Sequence, residues 1–264
     1  MRKIPSKLTG ILPVLVLLLL LQVQCLAQDS SRAITLYQFR YVPDDKTDEF
    51  IKRETTYWSK VAQKAIDNKL LSFWGLFEKM GGNNMDHSPN YLFINTYPDI
   101  DKAEKVWSNP EATAGVKISA METNSLSTTT GQFFLHDENW AQAKNVDPPK
   151  EFNYVVMVFH RTNYPDSLIN LEKQYWDPFI QSAMDNGQTP QRAWGNAVLL
   201  SPSGEDIKFN TVSYDLFKTL ADALMPQWKP DTQIPVDGLN KIIGIETGQR
   251  STDVYRIVKV VASK

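Results

Sequence analysis

A segment that occurs twice constrains the architecture of this chain more than any other feature. Glu54-Thr55-Thr56-Tyr57-Trp58 returns 118 positions later as Glu172-Lys173-Gln174-Tyr175-Trp176. The Ala, Asp and Asn of Ala65-Ile66-Asp67-Asn68 return at the same offset in Ala183-Met184-Asp185-Asn186. Matches of rare residue types at one constant spacing indicate a duplicated unit. We therefore expect two copies of one fold.

Each copy has the periodicity of one long helix with an acidic residue on its apolar face. Glu54 falls near the centre of an apolar stripe, and Glu172 takes the same position in the second copy. The same aromatic pair follows each carboxylate: Tyr57 and Trp58, then Tyr175 and Trp176. A carboxylate on a buried face must be hydrogen-bonded, paired with a cation or protonated. We predict two equivalent polar sites between helix and sheet, with a purely structural glutamate as the alternative.

The N-terminus has the three-part pattern of a secretory signal peptide over residues 1–27. Basic residues precede an apolar run at 11–21, and Cys25-Leu26-Ala27 supplies small residues for cleavage before Gln28. The run is shorter than the roughly 20 residues that cross a membrane. We expect an exported mature chain, periplasmic or secreted, without a transmembrane span. Acylation of Cys25 as a lipoprotein is less favoured, because Gln24 replaces the small residue usual at that position.

Charge and cysteine content exclude several functions. Cleavage after residue 27 removes three of the 28 basic residues and none of the 30 acidic residues, which leaves a net charge of −5. Basic patches with interleaved aromatic residues are absent, so we predict no nucleic-acid partner. Cys25 is the only cysteine, so the mature chain is expected to have neither a disulfide nor thiolate chemistry.

The order of predicted elements repeats along the chain. Residues 33–142 read as strand, long helix, two hairpin strands, short helix and strand, and residues 152–262 read the same way after a proline-containing linker at 143–151. This β-α-β-β-α-β order is ferredoxin-like. In one such unit the helices cover only one face of the four-stranded sheet, so the other face needs a partner. We predict that the two units pack sheet to sheet, so that a monomer completes the structure.

The element order, the Glu-x-x-Tyr-Trp helices and the strands with Trp74-Gly75 and Trp194-Gly195 resemble the dimeric α+β barrel superfamily, here fused in tandem over residues 33–262. That superfamily includes antibiotic-biosynthesis-monooxygenase-like, stress-responsive A/B barrel and NIPSNAP-like proteins. The resemblance implies an intramolecular α+β barrel of two ferredoxin-like units, with pockets between sheet and helices. Members of the superfamily include cofactor-free monooxygenases and haem-degrading enzymes. The haem-degrading type uses an Asn, a Trp and a helical His, and no histidine here lies on the long helices.

Residues on the predicted strands complete the candidate ligand site. Arg40 and His160 share equivalent faces of the first strand of each unit, within reach of the helical carboxylates. If the smaller or purely apolar hairpin residues face the helices, the alternate residues face the barrel interior: Trp74, Trp194, Arg192 and Asn196. Core packing without a ligand is the alternative for both tryptophans.

Recognised catalytic and cofactor motifs are absent from the sequence. It contains no dinucleotide-binding or phosphate-binding glycine loop, no nucleophile elbow and no zinc-protease motif. The three histidines match no metal-ligand spacing, so we predict neither metal nor cofactor. Paired aromatic residues with a few polar groups are typical of small-molecule pockets. We predict an exported α+β barrel protein that binds a small, partly apolar molecule; the alternatives are a cofactor-free monooxygenase-like enzyme and a non-catalytic interaction module.

Overall fold

The computed structural model describes residues 32–82 and 88–263. The predicted signal peptide at 1–27, with Cys25, and His87 in the first hairpin loop lie outside the described residues. Within these two ranges, no helix has both the length and the apolar character needed to cross a membrane.

Eight antiparallel strands close into a barrel, so the predicted α+β barrel class is confirmed. The strands are β1 (Ile34–Tyr41), β2 (Phe73–Lys79), β3 (Tyr91–Tyr97), β4 (Thr128–Gln142), β5 (Tyr154–Thr162), β6 (Ala193–Ser201), β7 (Thr211–Phe217) and β8 (Glu246–Ala262). Their order around the barrel is β1-β3-β2-β8-β5-β7-β6-β4. Each half of the chain thus contributes its own four strands in the same relative order.

The last strand of each half joins the two halves. β4 pairs with β1 of its own half and with β6 of the other half, and β8 pairs in the same way with β5 and β2. These strands have 15 and 17 residues, longer than the predicted strands at 132–140 and 254–261. They are longer because each must satisfy two neighbours whose pairing is staggered along its length.

The helices pack on the outside of the barrel. They are α1 (Thr47–Arg53), α2 (Ser59–Asp67), α3 (Ala103–Val106), α4 (Pro110–Ala114), α5 (Ile118–Met121), α6 (Pro148–Glu151), α7 (Pro165–Leu171), α8 (Asp177–Asp185), α9 (Leu220–Leu224) and α10 (Val236–Gly244). Helices α1 and α2 are continuous through residues 54–58 and form the first long helix. Helices α7 and α8 form the second in the same way through residues 172–176.

Both long helices widen into a π-helix at the repeated motif, where the sequence predicts a regular α-helix. The π segments are Glu54–Trp58 and Glu172–Trp176. In each, the backbone N–H five residues after the glutamate donates to its carbonyl. Pro178 follows only the second segment, so proline does not cause the widening. Because π-helices are rare, their presence at the same motif in both halves is a specific similarity between the two long helices.

The repeated Trp-Gly pairs divide the core into two layers. Trp74 and Trp194 are buried under the long helices, in clusters separate from the one inside the barrel. The prediction that these tryptophans face the interior, with Arg192 and Asn196, is therefore wrong. The adjacent glycines face the interior, and a Cβ on Gly195 would lie 2.5 Å from the ring of Tyr214. Only glycine leaves space for that ring.

Candidate functional site

The two repeated glutamates are buried, as their helical phase predicts. Glu54 is 5% exposed and Glu172 is 6% exposed. Burial raises the pKa of each carboxyl to about 7, because the charged form loses its hydration. Each carboxylate therefore needs partners between helix and sheet, and the two halves provide different ones.

In the first half, a hydroxyl and a guanidinium stabilise Glu54. Thr123 Oγ1 donates a 2.6 Å hydrogen bond to Glu54 Oε1. Arg40 on β1 is 7% exposed, and its positive charge partly offsets the rise in the pKa of Glu54. The Arg40 guanidinium also donates to side-chain oxygens of Gln38, Asn124 and Ser127. This arrangement is a hydrogen-bonded network with its own buried cation, in which Arg40 Nε has no partner among the described residues.

In the second half, an amide replaces the hydroxyl. Asn196 Nδ2 donates a 2.7 Å hydrogen bond to Glu172 Oε2, and Asn196 is fully buried on β6. Burial is the main cause of the raised pKa of Glu172, and the negative charges of Asp215 and Glu246 raise it further. The Asn196 hydrogen bond and the charge of Arg250 oppose this rise.

His160 is fixed by hydrogen bonds at both ring nitrogens. Its Nδ1 lies 2.8 Å from Glu246 Oε1, and its Nε2 lies 2.9 Å from Ser213 Oγ. A carboxylate at Nδ1 favours the tautomer that carries its proton there, which leaves Nε2 to accept from the serine hydroxyl. Burial lowers the pKa of His160, with Glu246 opposing and Arg250 adding to the effect. The imidazole is therefore neutral at neutral pH.

Asp215 and Thr211 lie on the same face of β7 as Ser213. Gln191 Nε2 donates a hydrogen bond to Asp215 Oδ1, and burial raises the pKa of Asp215 to about 7. Thr211 is 1% exposed, and its Oγ1 has no hydrogen-bond partner among the described residues. We call the following set the second-half cluster: Glu172, Asn196, His160, Ser213, Glu246, Asp215 and Thr211.

Strand register shows which residues of the two halves occupy corresponding positions. Arg40 pairs with Tyr91 in the first half, and His160 pairs with Thr211 in the second, so corresponding strand positions differ by 120 residues. At that offset, the helix-facing residues around the glutamates differ: Arg40 corresponds to His160, Leu76 to Asn196, Tyr91 to Thr211, Phe93 to Ser213 and Asn95 to Asp215, whereas Gln38 corresponds to the apolar Val158. At these positions the second half has two aromatic rings fewer than the first half and more hydrogen-bonding side chains. It is the half with the composition of a polar site.

The aromatic residues of the repeated motif serve a different purpose from the one predicted. Trp58 Nε1 donates to the Met121 carbonyl at 2.7 Å, and its ring packs against Trp107. Tyr57 packs in the same outer cluster. In the second half, Lys241 Nζ donates to the Tyr175 hydroxyl at 2.7 Å, and Trp176 packs against Phe179 and Trp228. These four residues hold the segments that cover the long helices.

Arg192 also lies outside the second-half cluster. Its Nε is 3.1 Å from Glu151 Oε2, and both side chains are partly exposed. Of the residues predicted for the site, the structure places Arg40 near Glu54, and it places Glu172 and His160 in one cluster. Ser213, Asp215, Asn196 and Glu246 enter this cluster through strand register, which the sequence pattern alone does not reveal.

Both carboxylates are enclosed by protein. Two surface depressions, of about 470 and 330 Å³, lie elsewhere. The larger lies at the start of β5 beside Lys218, and the smaller lies between α2 and the end of β8. Helix α10 covers the second long helix and packs against Tyr175 through Gly238.

The fold is shared with known barrel proteins. No protein-family model matches the sequence, and no curated protein matches it. An anthrone oxidase-like protein has a TM-score of 0.54 at 12% identity over 88% of this chain and 93% of its own. A proposed monooxygenase from Fusobacterium nucleatum has a TM-score of 0.55 at 10% identity over 88% of this chain and 94% of its own. A second proposed monooxygenase, from Lactobacillus acidophilus NCFM, has a TM-score of 0.53 at 10% identity over 87% of this chain and 95% of its own. The resemblance to dimeric α+β barrels is confirmed at the level of fold.

The described residues do not fit the haem site that the resemblance describes. His136 lies on β4 and His160 lies on β5, so neither is a helical ligand. Both ring nitrogens of His160 are already hydrogen-bonded to protein. No chemical step is assigned to haem.

Proposed function

We propose that this chain is an exported α+β barrel protein that binds a small, partly apolar molecule at the second-half cluster, between the second long helix and the sheet. One observation carries the proposal. Around Glu172, the second half replaces the apolar and aromatic residues of the first half with Asn196, Thr211 and Ser213. Buried polar groups are costly without partners, and Thr211 Oγ1 has none among the described residues, so the replacement favours a binding role.

The proposed organisation is two ferredoxin-like units, at 33–142 and 152–262, joined by the linker at 143–151. The matching strand order of the two halves supports this division. Because one chain closes the barrel, we propose a monomer. Export rests on the N-terminal pattern. Intact mass of the exported chain tests it: a chain that begins at Gln28 agrees, whereas diacylglycerol on Cys25 indicates a lipoprotein.

Glu172 is the proposed polar anchor of the ligand. His160, whose two ring nitrogens are hydrogen-bonded to Glu246 and Ser213, holds those side chains in place. The apolar part of the ligand would contact the same helix face, which presents Leu168 and Ile169. We propose that the first half has a structural role, because Arg40 and Thr123 already stabilise Glu54 there.

A cofactor-free monooxygenase-like activity is the second candidate. The pKa of Glu172, raised to about 7, suits a group that takes a proton from a substrate at neutral pH. Oxygen uptake with a quinol substrate by the wild type, lost in Glu172→Gln, would establish it. A non-catalytic interaction module remains the third reading.

A fragment screen by NMR on the full chain tests the binding proposal. We expect fragments to shift amide signals of the second long helix, β6 and β7, and we expect Glu172→Gln to reduce these shifts. Glu54→Gln is the matched control, since it makes the same change at the equivalent position of the first half. Fragments that bind only elsewhere, or equally well to both variants, contradict the proposal.

A further inference from the structure

We propose that the ligand of the second-half cluster carries an amine, whose positive charge is held by Glu172 and Asp215. This inference rests on the proposed binding site and specifies the chemical class of its ligand. Three features carry it: the cation missing from the second half, an unpartnered hydroxyl, and the sign of the charges around the cluster.

The first half contains a buried cation that the second half lacks. Arg40 is the only buried Lys or Arg in the part of the chain that the structure describes, and its charge acts on Glu54. His160 occupies the equivalent strand position in the second half, as the pairing with Thr211 shows. Its two hydrogen bonds and its burial keep the imidazole neutral. The position that supplies a charge to Glu54 therefore supplies none to Glu172.

The charges that face Glu172 are mainly negative. Asp215 on β7 and Glu246 on β8 both act on it, and Arg250 is the one cation that does so appreciably. Arg250 is exposed, so water and salt screen its charge. Glu172 is buried and Asp215 is half-buried, and each accepts a hydrogen bond from an amide but has no buried cation beside it among the described residues. Such carboxylates favour a ligand that brings the opposite charge.

An independent feature points to a ligand with hydrogen-bond donors. Thr211 Oγ1 is buried on the same sheet face and has no partner within the described ranges. Buried hydroxyls in native proteins almost always have one. An ammonium group offers three donors and no acceptor. It can therefore donate to a carboxylate oxygen and to a hydroxyl oxygen on this sheet face.

Amine binding should be linked to proton release. The carboxyls of Glu172 and Asp215 are partly protonated near neutral pH, because burial raises the pKa of each to about 7. A bound cation favours their charged forms, so protons leave as the amine binds. An alkyl amine itself stays protonated up to about pH 10. Affinity for the amine should therefore rise from about pH 5 to about pH 8.

Matched ligands separate charge from shape. Calorimetry on the full chain would compare 2-phenylethylamine, 2-phenylethanol and phenylacetate, and then tryptamine, tryptophol and indole-3-acetate. In each series we expect the amine to bind at least about tenfold more tightly than the alcohol, as for close charge pairs in other interfaces. Its binding enthalpy should vary with the ionisation enthalpy of the buffer, which reports the released protons.

Variants then locate the interaction. Glu172→Gln and Asp215→Asn should each weaken amine binding at least about tenfold, and Glu54→Gln should leave it unchanged. His160→Arg installs the resident cation of the first half and should abolish amine binding while alcohol binding persists. Circular dichroism checks that each variant is folded, and the two carboxylate variants make the test independent of either one alone.

Two negative results have different meanings. If alcohols or acids bind as tightly as amines, or amine binding releases no protons, the amine inference is wrong and the binding site stands. If neither series binds but the fragment screen finds neutral or acidic ligands beside Glu172, the same conclusion holds. If no fragment of any charge reaches the second long helix, the proposed function itself is wrong.

Discussion

At the scale of single residues, the buried carboxyls link folding to pH. Glu54 and Glu172 have a pKa of about 7 in the folded chain, above the ordinary 4.5. Between these values the folded chain binds more protons than the unfolded chain. The free energy of unfolding therefore falls as pH rises from about 4.5 to about 7 and then levels off. At about 1.4 kcal/mol per pKa unit, the loss is on the order of 3 kcal/mol for each group.

Glutamine substitution should remove this dependence one group at a time. Gln keeps an oxygen to accept from Thr123 or Asn196 but does not ionise. We expect Glu54→Gln and Glu172→Gln each to lose less stability than the wild type between about pH 5 and about pH 8, measured by urea unfolding. His160 acts in the opposite direction, because its lowered pKa adds stability as pH rises. That contribution is common to all three proteins. Parallel pH profiles would show that the carboxyls do not titrate in this range.

Single residues also show which parts of the site the sequence could predict. Glu54 and Glu172 follow from helical periodicity, a local property of the chain. Ser213 and Glu246 lie 53 and 86 residues from His160, and only strand register brings them together. The sequence analysis placed Trp74 and Trp194 on the wrong face of the sheet. Both faces of their strands are covered, which removes the alternation of apolar and polar residues that would distinguish them. The neighbouring glycines, each facing a ring, carried the missing signal.

At the scale of elements, α10 covers the second long helix through one close contact. An added Cβ on Gly238 would lie 2.6 Å from Tyr175 Cβ. Gly238→Ala should therefore push α10 away and destabilise the protein by about 1 to 3 kcal/mol. Amide hydrogen exchange over Val236–Gly244 should increase.

A glycine of the same helix provides the control. Gly244 has no neighbouring atom within 4 Å of an added Cβ, so Gly244→Ala should leave hydrogen exchange and stability nearly unchanged. Similar exchange in the two variants would mean that α10 does not depend on its contact with Tyr175.

The π segments were beyond prediction from the sequence, although the elements that contain them were predicted. Five residues of widened helix change the phase of the apolar stripe too little to separate from α-helical scatter. Both occur at Glu-x-x-Tyr-Trp. They place the carboxylate against the sheet and the aromatic pair against the covering segments.

At the scale of the whole molecule, the long strands make the two halves depend on each other. β4 and β8 each pair with strands of both halves, so neither half can unfold without breaking the barrel. We expect a single calorimetric transition whose van't Hoff and calorimetric enthalpies agree. Two resolved transitions would indicate independently stable halves.

The element order that the sequence predicts for both halves made the architecture easier to predict than the site. An element order that occurs twice along the chain leaves two sheets, each with a face to cover, which points to a barrel. The proposed site lies where the two halves differ, at positions such as Asn196 and Thr211. Such a difference is visible in the sequence only once the strands of the two halves are aligned.

The pKa of the Glu172 carboxyl, measured by carbon-13 NMR in the full chain with and without 2-phenylethylamine, tests the account most directly. Comparison with Glu172→Gln and Glu54→Gln assigns the two buried signals. We predict that both glutamates titrate near 7 in the protein alone and that the amine lowers the pKa of Glu172 only. A Glu172 pKa near its ordinary 4.5, or an amine that shifts both glutamates or neither, would contradict a cation-binding site in the second half.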